Sequence, residues 1–137
     1  MPGETDLGRL LASLDPQPDP REFGYAILPH GTPLPPGFQP FGLFHEDEGV
    51  TVIATAADLA ASGIPALTGL ARLTMMVHSS LEAVGMTAAM ATALTRAGIS
   101  ANVVAAYHHD HIFVPWDRRD EAVAVLRGLA QGGGTTS

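Results

Sequence analysis

Residues 77–114 read VHSSLEAVGMTAAMATALTRAGISANVVAAYHHDHIFV, and this stretch decides the fold. Just before and into it, Leu73, Met75 and Val77 recur at every second position. That period of two predicts a strand with one buried face. The other elements are predicted outward from this strand.

A helix is predicted directly after the strand. Ser79 and Glu82 have the spacing of a capping box, in which a hydroxyl accepts one free helix amide and a carboxylate reaches back to another. The helix would then start at Ser80. Gly98 is predicted to end it, because glycine enters the left-handed conformation that terminates helices without a steric penalty.

This helix carries little charge for a helix on a protein surface. Between residues 83 and 97 the only charged side chain is Arg96, and Ala and Thr occupy nearly every position that would be polar. The helix is therefore predicted to be covered on two sides. One side is expected to lie on the sheet, and the other to meet a second subunit or the other half of the molecule.

A second strand is predicted to open at Ile99. One face would carry Ile99, Ala101, Val103, Ala105 and Tyr107, and the other Ser100, Asn102, Val104, Ala106 and His108. Asparagine is depleted from strands because its amide prefers local turn bonds. Asn102 is therefore expected at a bulge, in a hydrogen bond with a neighbour, or facing a ligand.

The chain then turns back and ends in a helix. His109 and Asp110 are predicted to connect the second strand to a hairpin partner at residues 111–115. Asp117 is the predicted N-cap of the last helix. The apolar face of that helix carries Ala122, Val125, Leu126 and Leu129, and its solvated face carries Arg118, Arg119, Glu121 and Arg127.

The first half of the chain begins with an amphipathic pattern. Residues 5–14 predict a short helix capped by Thr5. Its apolar face consists of Leu7, Leu10, Leu11 and Leu14. Pro16, Pro18 and Pro20 are then expected to break the chain before a strand at residues 23–28.

A proline-rich segment follows that strand. In residues 29–40 five of twelve residues are proline, which removes backbone donors and predicts an irregular surface loop. Residues 41–55 predict a hairpin that turns at 46–49, where three consecutive acids are interpreted as a solvated turn rather than a metal site. Thr55 is a predicted cap for a short helix that ends near Gly63.

The composition limits the class of protein. A chain of 137 residues holds one conventional core or two small units that share one. With 46% hydrophobic residues and a net charge of −7, it is expected to be globular and not to bind nucleic acid, which requires clustered basic side chains. The absence of lysine and cysteine argues against Schiff-base chemistry, disulfides and cysteine zinc sites. No signal peptide or long apolar run is present, so no membrane association and a cytoplasmic location are expected.

The C-terminal half lacks one strand of a complete sheet. Its last helix is followed only by residues 132–137, a Gly-rich segment predicted to be a flexible tail. The missing strand is expected to come from the first half. The chain would then consist of an incomplete N-terminal unit, residues 1–64, that intertwines with a C-terminal unit, residues 65–131.

The central helix and the strand after it resemble a known family. The run VGMTAAMATAL at residues 84–94, closed by AGISANV at residues 97–103, resembles the signature of the ACT domain, and the match covers residues 70–129. The longer strings HSSLEAVGMTAAM and NVVAAYHHDHIFVP are similar to small stand-alone tandem-ACT proteins. More distantly, they are similar to the paired ACT modules of aspartate kinases and of the eukaryotic cytosolic arginine sensor.

The resemblance implies a fold and a type of site. The fold would be α+β, a ferredoxin-like βαββαβ sandwich built as two intertwined ACT-like units with antiparallel sheets and helices on one face. An amino acid or similar metabolite would bind at an interface between two such units, and the central helix would begin nearer Val84. Carried onto this chain, the ligand-binding positions are Ser79, Ser80, Leu81, Glu82, Ala83, Val84, Gly85, Ile99, Ser100, Ala101, Asn102 and Val103.

Several of these side chains have chemistry suited to an amino acid. Free helix amides with the hydroxyls of Ser79 and Ser80 would form an anion site for an α-carboxylate. Glu82 is suited to an α-ammonium, and Asn102 offers a donor and an acceptor. Each also has a structural explanation: the serines and Glu82 as a helix cap, Gly85 for close packing, and Asn102 as a partner of the neighbouring loop.

The run HHDH at residues 108–111 suggests a second class of function. Imidazoles and carboxylates are common metal ligands and proton-transfer groups. Adjacent side chains diverge in a tight hairpin, so a metal-dependent enzyme built on His109 and His111 would need a further ligand such as His78 or His45. A structural role in the turn is the alternative.

The sequence predicts a regulatory protein rather than an enzyme. It contains no Gly-x-Ser-x-Gly, Gly-x-Gly-x-x-Gly or Walker sequence. We predict a non-catalytic sensor that needs no cofactor, is a homodimer, binds an amino acid, and passes its occupancy to a protein partner that the sequence does not identify. The alternatives are the metal enzyme and a dimerising scaffold without a ligand.

Overall fold

The computed structural model describes residues 6–77 and 85–131. The chain forms two compact units: unit 1 consists of residues 1–19 and 71–137, and unit 2 of residues 20–70. The chain passes from one unit to the other inside two of its strands. Each unit has a core of its own.

The described elements mix helices and strands, as predicted. In chain order they are α1 (Leu7–Ala12), β1 (Pro16–Leu28), β2 (Gly42–Glu46), β3 (Gly49–Thr55), α2 (Ala56–Ala61), β4 (Leu67–Met75), α3 (Met86–Arg96), β5 (Asn102–Ala105), β6 (Asp110–Pro115) and α4 (Arg119–Gln131). In unit 1 the strand order is β1, β4, β6, β5, and in unit 2 it is β2, β3, β1.

Unit 1 packs helices against one face of its strands. Side chains alternate along a strand, so every second residue of β4 and β6 reaches this face. These buried strand residues are Ala71, Leu73, Met75, Ile112 and Val114. The helices contribute Leu10, Leu11, Met86, Met90, Leu94, Ala122, Val123 and Leu126. The apolar faces predicted for the first and last helices are confirmed.

Helix α1 belongs to the core of unit 1 although it lies at the other end of the sequence. Leu10 and Leu11 are 0% and 2% exposed among residues of the C-terminal half. Asp6, rather than the predicted Thr5, caps the helix, because its Oδ1 accepts the Arg9 amide at 3.0 Å. The first half therefore supplies a helix as well as the predicted strand.

Strand β1 begins at Pro16, so the expected break at the three prolines is wrong. The Asp15 carbonyl accepts the Met76 amide at 2.9 Å, which directs the hydrogen-bonding groups of odd-numbered residues towards β4. Pro16, Pro18 and Pro20 occupy the alternate positions, where a missing N–H faces away from β4. Proline therefore costs this strand no hydrogen bond on its paired side.

The hairpin after α3 is shorter and turns earlier than predicted. Strand β5 begins at Asn102 rather than Ile99, and Ala105 pairs with Asp110. The Ala106 amide donates to the His109 carbonyl at 3.1 Å, which places Tyr107 and His108 at the tip. The predicted turn at His109 and Asp110 is wrong, because both residues follow the turn on the β6 side.

A 3-10 turn at Trp116–Arg118 precedes α4, so the predicted N-cap at Asp117 is wrong. Arg118, directly before α4, instead forms hydrogen bonds with the end of α3. Its Nη1 donates to the Gly98 carbonyl at 2.7 Å, its Nη2 to the Ala97 carbonyl at 3.0 Å, and Glu121 holds the guanidinium. A positive charge stabilises the carbonyl end of a helix. Gly98 ends α3 as predicted, with a φ of 73°.

Unit 2 is a small antiparallel sheet with one short helix. Its core consists of Ala26, Leu28, Val52, Ala54 and Leu59, against which Leu34 and Phe38 of the proline-rich loop pack. The predicted hairpin of β2 and β3 is confirmed by the pairing of Glu46 with Gly49. Thr55 caps α2 as predicted, since its hydroxyl accepts the Asp58 amide at 3.2 Å.

Candidate functional site

The start of α3 is where the sequence placed the ligand. Helix α3 begins at Met86, and Gly85 is its N-cap in the left-handed conformation, with a φ of 97°. This start agrees with the position near Val84 that the family resemblance implied. The start at Ser80 is wrong, because a left-handed Gly85 interrupts any helix that would run through it.

Six of the twelve predicted ligand-binding positions lie outside the described residues, as does the candidate metal ligand His78. The six are Ser79, Ser80, Leu81, Glu82, Ala83 and Val84. Gly85 is described, and a Cβ added there would lie 3.1 Å from the Leu7 Cδ2. Both the positive φ and this close contact call for glycine.

The N terminus of α3 leaves backbone donors without a cap among the described side chains. The Ala89 amide donates to the Gly85 carbonyl at 2.9 Å, the first bond of the helix. The amides of Met86, Thr87 and Ala88 come before it and have no intrahelical acceptor. The positive end of the helix dipole and these donors favour an anion at this position.

The second predicted segment divides between the core and the surface. Ile99 is buried in the core that contains Met86, and Ala101 and Val103 pack against that core. Ser100 and Asn102 are exposed on the opposite side. Of the described positions in this segment, these two polar side chains are the ones available to a ligand.

Helix α3 is covered on one side within the described chain. Met86, Met90 and Leu94 are buried, whereas Ala88, Thr92 and Thr95 are exposed. The predicted cover on the sheet side is present. The exposed side is uncharged over these three residues, so a second subunit on this side stays a prediction.

A partly buried polar cluster lies on the sheet face opposite the helices of unit 1. Arg72 Nη2 contacts Asp19 Oδ2 at 2.9 Å, with side chains 18% and 10% exposed. Thr74 Oγ1 and His111 Nδ1 are 2.9 Å apart in a hydrogen bond. This cluster was not predicted from the sequence. The feature that could have indicated it is Arg72, a cationic residue between the buried Ala71 and Leu73 of β4.

His111 is held neutral by its surroundings. Burial, together with the nearby Arg72 and His109 side chains, lowers its pKa from 6.5 to about 4. Burial raises the pKa of the neighbouring Asp110 carboxyl, while His109 opposes that shift. The neutral imidazole therefore suits a hydrogen bond with Thr74 rather than an ion pair.

We expect acid to destabilise unit 1 through His111. Between pH 6.5 and 4 the unfolded state takes up a proton that the folded state does not, so the free energy of unfolding falls as the pH falls. Urea unfolding at pH 7 and pH 5 measures this loss. The His111→Gln variant should show a smaller loss than the parent chain, and an equal loss in both would contradict the expectation.

The histidine run does not form a metal centre in the described part of the chain. His109 Nδ1 is buried and has no hydrogen-bond partner among the described residues, and the His108 ring lies against Tyr107 at 4.9 Å. No group of three or more metal-ligating side chains occurs in residues 6–77 and 85–131. In the same residues no helix is long and apolar enough to cross a membrane.

Two family models match the chain in tandem. Both are described as ACT domain, and they match residues 2–71 and residues 72–128. No curated protein sequence matches the chain significantly. The α+β, ferredoxin-like ACT fold expected from the sequence is confirmed, while the division at residues 64 and 65 remains a prediction.

Solved structures with the same fold include one with substantial sequence similarity. A Vibrio cholerae protein of unknown function, described as a possible transport protein, has a TM-score of 0.81 and 36% identity over 91% of this chain and 96% of its own. An Agobacterium tumefaciens protein has a TM-score of 0.67 and 15% identity over 80% and 84%. The ligand-free regulatory subunit of aspartate kinase from Thermus thermophilus has a TM-score of 0.58 and 11% identity over 83% and 95%.

Proposed function

This chain belongs to the ACT-domain family, and on that premise we propose that it is a non-catalytic regulatory protein that binds an amino acid at the start of α3. The observation that carries the proposal is the helix N terminus, where three amides precede the first helical bond without a cap among the described side chains. That arrangement suits an α-carboxylate. The same fold occurs in a regulatory subunit of aspartate kinase.

The remaining contacts follow from the side chains of the proposed site. Ser79 and Ser80 add hydroxyl donors for the carboxylate, and Glu82 pairs with the α-ammonium. Asn102, exposed at the start of β5, offers both a donor and an acceptor to a ligand side chain. The ligand carboxylate would thus accept hydrogen bonds from the first amides of α3, for which the described side chains provide no cap.

We further propose that the molecule acts as a homodimer. Ala88, Thr92 and Thr95 of α3 are exposed and uncharged, and the exposed Arg96 lies at the edge of the same side. A helix of this composition fits closely against another backbone, since its side chains are short. Occupancy of the proposed site at the start of the same helix would then be passed to the second subunit and to a downstream protein.

Amino-acid binding should appear as a thermal shift. A ligand present at 100 times its dissociation constant stabilises the folded state by about 2.7 kcal/mol. We expect at least one of the twenty common amino acids to raise the melting temperature of purified protein, and sedimentation velocity on the same sample to give the mass of a dimer. Asn102→Ala should reduce the shift, whereas Thr32→Ala, which changes an exposed polar residue of unit 2, should preserve it.

Two outcomes would count against the proposal. One is a flat response to all twenty amino acids in protein that native mass spectrometry shows to carry no ligand. The other is an equal shift in the parent chain and in a chain in which Ser80 and Asn102 are both replaced by alanine, because binding would then occur elsewhere.

A further inference from the structure

Unit 2 contains a cavity that the proposed function does not use. Its volume is about 410 Å³, and it lies between β1, Thr51 of β3, and residues 65–67 before and at the start of β4. Pockets for small molecules in proteins start at about 300 Å³. The cavity is therefore large enough for an organic ligand of a few rings.

The wall formed by residues 65–67 is held in place by a close backbone contact. A Cβ added to Gly24 of β1 would lie 2.8 Å from the Leu67 carbonyl oxygen and 2.9 Å from the Thr68 Cγ2. Next to this contact, the Gly69 amide donates to Glu22 Oε2 at 2.8 Å. Only glycine at position 24 allows the chain to approach β1 this closely, so the cavity is a built feature of unit 2.

The lining is apolar and contains no charged side chain. Ile27 and Leu67, which both line this cavity, are 56% and 80% exposed, which is unusual for large aliphatic residues. The polar side chains in the lining are those of Tyr25 and Thr51, and the Thr51 hydroxyl donates to the Glu46 carboxylate. The Tyr25 phenol is half buried, and burial raises its pKa, so it is a neutral hydroxyl at physiological pH.

We propose that this cavity binds an uncharged, mostly apolar small molecule that carries one hydrogen-bonding group. Its apolar part would cover Ile27 and Leu67, and its polar group would meet the Tyr25 hydroxyl or donate to the Thr51 hydroxyl oxygen. A zwitterion is less suited to this site, because no cation lines the cavity to pair with a carboxylate and the nearest carboxylate, that of Glu46, already accepts a hydrogen bond from Thr51. The cavity is thus distinct in chemistry from the amino-acid site proposed at α3.

The test uses indole as the probe and the full-length chain. We expect indole to bind saturably, with a dissociation constant of roughly millimolar size for so few atoms, and to shift the backbone NMR signals of Ile27, Thr51 and Leu67. Leu67→Asp should weaken indole at least tenfold. The matched control is Leu43→Asp, since Leu43 is a leucine of β2 that is 44% exposed and does not line the cavity; it should leave the affinity unchanged.

L-Tryptophan is the control that distinguishes binding in this cavity from binding at the proposed amino-acid site, because it has the indole ring together with an ammonium and a carboxylate group. We expect it to shift the cavity signals at least tenfold more weakly than indole. The proposal is overturned if the indole shifts do not saturate, if Leu43→Asp weakens binding as much as Leu67→Asp, or if tryptophan occupies the cavity as well as indole. It is also overturned if Leu67→Asp changes the sedimenting mass, since the patch would then be covered by a second copy.

Discussion

A chain that lacks residues 1–19 is expected to lose the folded structure of unit 1. Helix α1 inserts Leu10, Leu11 and Leu14 into a core otherwise made by the C-terminal half, at exposures of 0%, 2% and 5%. Deleting it exposes the facing apolar surfaces of α3 and α4. The expected measurement is a loss of chemical-shift dispersion in the NMR signals of β6 and α4.

The point variant Leu10→Ala tests the same contact quantitatively. A buried leucine cut to alanine loses its transfer free energy and leaves a cavity, so the free energy of unfolding should fall by about 2–5 kcal/mol. The control Leu43→Ala removes the same atoms from an exposed strand position and should cost less than about 1 kcal/mol. Similar losses for the two variants, or a stably folded chain without residues 1–19, would show that α1 is not part of this core.

The Asp19→Ala variant is expected to have the second large effect. It removes the carboxylate that lies 2.9 Å from the Arg72 guanidinium, while most of the arginine side chain stays covered. Removing one partner of a largely covered ion pair should cost about 1–3 kcal/mol, because the remaining charge stays partly shielded from water. Urea unfolding measures this loss.

The Arg118–Glu121 pair provides the matched control. Its Nη2–Oε1 distance is 2.8 Å, but the side chains are 34% and 52% exposed. Glu121→Ala should therefore cost less than about 1 kcal/mol. Replacing both buried partners, Asp19→Leu with Arg72→Met, should recover most of the loss of the single variant. If Asp19→Ala costs no more than Glu121→Ala, the buried pair does not stabilise unit 1.

Local patterns predicted the elements whose causes are local. The leucine spacing of α1, the cap at Thr55 and the end of α3 at Gly98 are all present. A helix face or a cap depends on residues a few positions apart, so the sequence contains the whole cause. The turn of the β2 and β3 hairpin was predicted for the same reason.

Predictions from local sequence patterns were wrong where the structure depends on contacts with residues distant in the sequence. Pro16, Pro18 and Pro20 predicted a break in the chain, but β1 runs through them. Their missing N–H groups would lie on the edge of β1 that faces away from β4. The serine and glutamate spacing predicted that α3 starts at Ser80, whereas α3 begins at Met86 after a left-handed Gly85. The Asp19–Arg72 pair joins residues 53 positions apart, a separation at which no spacing rule operates.

The sequence by itself determined the family, the type of each principal element and the buried faces of the first and last helices, because periodicity and short motifs are set by the backbone geometry of neighbouring residues. Tertiary structure alone decided that α1 completes the core of unit 1, that Asp19 contacts Arg72, and that residues 65–67 approach Gly24 closely enough to line an open cavity. These features depend on which surfaces exclude water together, and burial between distant segments is settled only when the whole chain packs.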